Sequence, residues 1–326
     1  MNKTKVTKKT GKKILRFGVL VVLIVLLYVL GLAGLFSTNA MRILLNIALY
    51  VTLGTMWNLM SGFTGMTSLG QQAFIGIAGY TLCVITSTYN LPFWIGIVLG
   101  GLFSAILALL MSMVLFRMRG MYFAIATWVT AEALKTFFTS WKFVKMGAGM
   151  SVKARPYPGV SLIYVIALSL SIIAILVVYS LLKSKTGLGL NAMRDDADAA
   201  SSVGVNIFRS RLLCFVVSGF FTGIAGAIFY LNRGSIFPSG GFGTEWTVAI
   251  VFIVIIGGIG TIEGPILGAI IYVALSEYLS KYPGYSMIIL GFIAIVVIVA
   301  LPYGIAGTIE RKLNLTVFST RRTLEG

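Results

Sequence analysis

The sequence contains no histidine, only two cysteines, and charged residues at just 11% of its positions. Without histidine there is no side chain that ordinarily titrates near neutral pH, no usual zinc ligand, and no Ser-His or Cys-His pair. Cys83 and Cys214 lie in apolar runs and read as packed residues, not as a disulfide or metal framework. No Gly-x4-Gly-Lys-Ser/Thr segment occurs, so this chain does not bind and split ATP by that route. Acids are scarce too, nine against 26 Lys and Arg, for a net charge of +17. The basic residues are spread over ends and loops without an aromatic-interleaved groove, which favours a membrane over nucleic acid. The expectation is a non-enzymatic chain with no cofactor or metal of its own.

What is present is apolar. Of 326 residues 58% are hydrophobic, and the mean hydropathy is +0.98, more apolar surface than a soluble domain of this length can cover. The fold class expected is an all-α integral membrane protein, a polytopic helical bundle forming one permease-like domain over residues 1–326. A basic tail, 1–16, precedes an apolar run to Phe36 that is long enough to span and is read as a retained first helix. Further spans are expected at 42–60, 69–88, 90–117, 121–140, 161–182, 212–232, twice between 246 and 279, and at 286–301, before a basic tail at 310–326. This makes about ten spans, or about eight if the glycine-rich pieces are re-entrant. With ten spans and both termini in the cytoplasm, eighteen of the 26 basic residues fall inside, as the positive-inside rule requires.

One long polar stretch interrupts this pattern, Thr186 to Arg211. Arg194-Asp195-Asp196-Ala197-Asp198 places four charges in five residues, and each would cost about 2.5–3.5 kcal/mol at a bilayer centre. The segment therefore stays in water. Asp195 or Asp196 can cap a helix, Ala197, Ala199 and Ala200 favour one, and Gly204 can close it, so a surface helix of about two to three turns is expected.

GLGLNAMRDDADAASSVGVNIFRSR resembles the cytoplasmic coupling segment of permease subunits of bacterial branched-chain amino acid ABC importers, of the LivM type. Three other stretches resemble that family in the same order: GFTGMTSLGQQAFIGIAGYT, RGMYFAIATWVTAEALK and VIIGGIGTIEGPILGAIIY. Glu263 and Met146-Gly147-Ala148-Gly149-Met150 depart from its usual pattern. The resemblance implies that Arg194, Asp195, Asp196, Asp198, Ala200, Gly204 and Asn206 form the link to an ATPase. It also implies a second, LivH-type permease subunit, two ATP-binding subunits that hold the ATP, an extracytoplasmic substrate-binding protein, and residence in the bacterial cytoplasmic membrane. Relatives that import sugars, nucleosides, urea or amides share this fold-level likeness. A stand-alone secondary transporter or channel is the alternative of another class, for which more buried ionisable residues and no special cytoplasmic helix are expected.

The 37 glycines concentrate in SGFTGMTSLGQQAFIGIAGY and GGIGTIEGPILGAIIY. Close helix packing accounts for most of them, but both stretches also read as broken helices, which in transporters mark the pathway. Gln71, Gln72, Gly258 and Gly260 are candidates for its lining. Gly70–Tyr80 and Gly260–Tyr272 share a loose spacing suggestive of an internal repeat. Glu132 is read as the intramembrane acid, with Lys135 one turn on, either a pathway residue or half of an ion pair. Lys145, Lys153 and Arg155 fall in a loop placed outside against the charge rule, where they would meet an acidic binding protein or anionic headgroups.

Overall fold

The computed structural model describes residues 26–31, 36–282, 285–301 and 303–313. The basic tail at 1–16, most of the expected first span and the end of the C-terminal tail lie outside the described residues. Among the described residues thirteen α-helices follow Ser37: α1 (Thr38–Thr64), α2 (Gln71–Ser87), α3 (Phe93–Leu115), α4 (Met121–Ser140), α5 (Val160–Lys183), α6 (Lys185–Asp195), α7 (Ala197–Ser202), α8 (Ile207–Arg233), α9 (Pro238–Gly241), α10 (Glu245–Gly257), α11 (Gly264–Leu279), α12 (Ser286–Ala300) and α13 (Gly304–Leu313). Residues 26–31 are helical as well and lie against α5, where Tyr28 and Ser169 share a hydrogen bond of 2.5 Å.

Local chemistry sets these boundaries. The Ser37 and Asn206 side chains accept hydrogen bonds from free N–H groups at the starts of α1 and α8, while Gly65 and Gly234, both left-handed, end them. Four helices, α1, α3, α5 and α8, together with the stretch Pro238–Gly257, are long and apolar enough to cross a membrane. The chain is a multi-pass helical membrane protein. Its outer face fits that environment: Val98, Leu102, Phe103, Ile106, Leu110 and Met113 of α3 are exposed, as a lipid-facing surface requires.

Helix α1 runs through the centre, buried almost continuously from Leu45 to Met60 and packed on α5, α8, α10 and α11. Helices α2, α3 and α8 form a second group around it. There, a Cβ added to Gly100 would lie 3.1 Å from Ala78 Cβ, so glycine is what lets α3 approach α2. Ser104 exploits that approach, donating across the gap to the Phe74 carbonyl at 3.0 Å.

The capped helix expected in the polar segment is α7, which Asp196 caps and Gly204 follows; the structure adds a second helix before it, α6, ended by Asp196 in an extended conformation. Within the loop after α4, β1 (Met150–Ser151) pairs antiparallel with β2 (Ser235–Ile236), Met150 opposite Ile236. Gly70 and Gly260, which open the two stretches of loosely shared spacing, each lie in a break that leads into a helix, α2 and α11 respectively.

Candidate functional site

Two helix breaks meet at the end of the bundle that carries α6 and α7. The first, Gly65–Gly70, follows α1; the second, Gly258–Glu263, joins α10 to α11. Asn58, 1% exposed, ties them together: its Nδ2 donates to the Thr261 carbonyl at 2.7 Å and its Oδ1 accepts from Gly260 N–H at 2.8 Å. A carbonyl on one side and an N–H on the other fix the amide orientation. Gly258 and Gly260 have φ of 126° and 77°, where side chains are strained. Helix α6 lies over this junction. A Cβ on Gly260 would be 2.6 Å from Arg194 Nη1, and one on Gly65 would be 3.8 Å from Arg194 Cα. Arg194 thus brings the polar segment into contact with both breaks.

The seat of that segment is apolar. Leu190 and Met193, three residues apart on one face of α6, are buried, and α6 packs on α1, α5 and α8. Asp196 Oδ1 accepts from the N–H groups of Asp198 and Ala199 at 2.9 and 3.0 Å, which caps α7. Gly204 is left-handed with φ 90°, and Asn206 Oδ1 accepts from Arg209 N–H at 3.0 Å. Asp195, Asp196 and Asp198 are exposed. Asp198 sits 3.5 Å from Arg119 in the α3–α4 turn, an exposed pair that contributes little stability but marks both as lying at the same end. Ala200 points inward at 2% exposure, whereas Val203 is 79% exposed. Sequence reasoning missed Val203, although a lone valine before the helix-closing glycine of a polar segment was a readable signal.

A second polar layer lies deep in the bundle. Thr222 is 15 residues from the start of α8 and 11 from its end, about 22 and 16 Å along the axis, hence near mid-depth. Thr222 Oγ1 donates to Gln71 Oε1 at 3.3 Å, so α2 starts at that level. Thr247, in the first turn of α10, donates to the Leu69 carbonyl at 3.1 Å and hydrogen-bonds Gln72, so α10 starts there as well. Gln71 and Gln72 are fully buried and held between helices, and the Nε2 of Gln72 and Oγ1 of Thr55 find no partner among the described residues. The two half-helices therefore begin face to face at mid-depth, a pattern that transporters use at their pathways.

This level also carries Glu245, which the sequence placed at the head of a span and so near the surface. Residues 235–244 dip inward before α10 begins, which takes the carboxylate to within about a turn of mid-depth. It is exposed on this chain and has no ion pair among the described residues. Facing hydrocarbon there would cost about 2.5–3.5 kcal/mol on the insertion scale for a comparable aspartate. Glu132 is different, since Lys135 Nζ lies 2.8 Å from its Oε1 on a half-exposed helix face. At the opposite end of the bundle Lys145, Lys153 and Arg155 are all exposed, on a loop held by the β1–β2 pair and by the Tyr157 hydroxyl, which donates to the Leu231 carbonyl.

Comparison with known proteins agrees with this architecture. Residues 39–300 match the family described as branched-chain amino acid transport system / permease component. The chain is 28% identical to the high-affinity branched-chain amino acid transport system permease protein LivM of Salmonella typhimurium, over 82% of this chain and 70% of that protein. The Escherichia coli K12 LivM is 27% identical over the same shares. A xylose transport system permease protein XylH from Haemophilus influenzae is 29% identical, over only 35% of this chain and 31% of that protein. No solved structure matches. With the family match spanning α1 to α12, this chain belongs to the branched-chain amino acid transport system permease family.

Proposed function

We propose that this chain is a transmembrane permease subunit of an ABC importer that moves branched-chain amino acids on ATP hydrolysed by separate subunits. The observation that carries this reading is the seat of α6 and α7: a capped, charged segment ending in an exposed valine, with Arg194 laid across two broken helices. A surface so placed passes movement at α7 directly to the junction between α1, α10 and α11. Arg194, Asp195, Asp196, Asp198, Gly204 and Asn206 shape that surface, with Ala200 as its inward anchor. The sequence has no Gly-x4-Gly-Lys-Ser/Thr segment, and in this reading two ATP-binding subunits, a LivH-type permease and an extracytoplasmic binding protein complete the machine. The sugar reading is weaker because the XylH likeness spans about a third of the chain and the likeness to a glucose ABC transporter permease protein of Haloferax volcanii, over 67% of the chain, is 24% identical. In vesicles, the complex of these subunits is expected to take up leucine only with ATP inside and binding protein outside; uptake that persists without the ATPases would replace this reading by a secondary transporter.

In this reading the protein has ten spans, with both termini and α6–α7 in the cytoplasm of a bacterial cell. Lys145, Lys153 and Arg155 then face outward, towards the binding protein. Gln71, Gln72, Gly258 and Gly260 act at the breaks, as part of the moving pathway, and Glu132 is held as an ion pair. Single cysteines at positions 37, 119, 149, 206 and 281, with Cys83 and Cys214 replaced by alanine, test the orientation. Impermeant reagents added outside should label only 37, 149 and 281; labelling of 206 from outside reverses the topology.

A further inference from the structure

Glu245 is an exposed acid near the middle of the membrane, in a chain with nine acids in all. Hydrocarbon is a poor neighbour for a carboxylate at that depth, so water, protein or cargo must face it. Val248, one turn further along α10, is 58% exposed, so this face of the helix is open on the isolated chain.

The surroundings of Glu245 are aromatic. Trp246 follows it directly, and the rings of Tyr50 and Trp246 are 6.1 Å apart, those of Tyr50 and Tyr272 5.0 Å apart in an edge-on arrangement. Tyr50 comes from α1, Trp246 from α10 and Tyr272 from α11, so three helices gather aromatic rings beside the first turn of α10, where Glu245 stands. An acid among aromatic rings suits a small organic cation, because the carboxylate supplies charge and the ring faces attract the same ion. No Lys or Arg pairs with Glu245 among the described residues, whereas Glu132 has Lys135.

We propose that Glu245, with Tyr50 and Tyr272, recognises the ammonium group of the cargo at mid-depth. This rests on the amino-acid importer reading, in which every cargo carries one ammonium group and differs only in its side chain. An exposed carboxylate at the rim of an aromatic cluster holds such a group without enclosing it, which suits a passing site.

The test uses the assembled complex in vesicles, with Cys83 and Cys214 replaced by alanine. Glu245→Gln is expected to lower leucine uptake at least tenfold while binding-protein-stimulated ATP hydrolysis stays above half. Val248→Cys supplies a readout that does not depend on transport. Corrected for the rate of each reagent with a free thiol, a trimethylammonium-bearing methanethiosulfonate should modify it at least fivefold faster than a sulfonate-bearing one, and Glu245→Gln should remove that preference. Uptake by Glu245→Gln within twofold of the parent overturns the proposal, and so does the absence of any charge preference while Glu245 is present. If the parent complex moves no leucine but the cationic preference is found, the importer reading fails and the cation site stands.

Discussion

Val203→Asp is expected to leave the permease folded and inserted while cutting ATP-driven uptake at least tenfold. Val203 is 79% exposed at the end of α7, and nothing in its own chain covers it. Burying a valine side chain contributes about 1.5–3 kcal/mol, and a carboxylate put in its place must also be desolvated within the contact. A loss of 1.4 kcal/mol already lowers affinity tenfold, so the ATPases should dissociate during purification. Val203→Ala keeps the shape apolar and should cost only a few-fold. Substitution at Ala200 tests something else, because at 2% exposure a large residue there would unseat α7 from its own protein. Should Val203→Asp copurify with its ATPases and transport at the parent rate, the contact is made by another surface.

Asn58→Leu is expected to be the most destabilising of the substitutions considered. Leucine is close in volume, so packing changes little, but the Thr261 carbonyl and Gly260 N–H lose their partners in a half-buried turn. Each unsatisfied group costs about 1–3 kcal/mol, hence about 2–6 kcal/mol together. For a chain of this size that lowers the midpoint of thermal unfolding by about 3–9 °C, measurable on the detergent-solubilised protein. Coupling should suffer beyond stability, since Asn58 joins the break beneath Arg194 to α1. A midpoint within 1 °C of the parent would mean that Gly260 and Thr261 find other partners, and Asn58 would lose its place in the junction.

The sequence by itself determined the membrane class, the order and approximate ends of the helices, and the one polar segment that stays in water. Those properties follow from local quantities: the hydropathy of about twenty consecutive residues, the cost of four adjacent charges, the capping preference of Asp196 and the left-handed freedom of Gly204. Four motifs in order also carried the family, which the match over residues 39–300 supports. Depth was decided only by the tertiary structure. Hydropathy measures how apolar a segment is, not where in the membrane it begins, and residues 65–70 and 235–244 are too short and too rich in glycine and small side chains to announce that they enter it. Their backbone groups are satisfied by side chains from outside the segments: Leu69 N–H donates to Thr127 Oγ1 at 3.0 Å, the Ser68 carbonyl accepts from Trp57 Nε1 at 2.7 Å, and the Gly240 carbonyl accepts from Trp246 Nε1 at 2.8 Å. Glu245 at mid-depth, Ala200 turned inward and Val203 turned outward follow from that long-range bonding and packing, because which way a side chain faces depends on what the rest of the chain brings beside it.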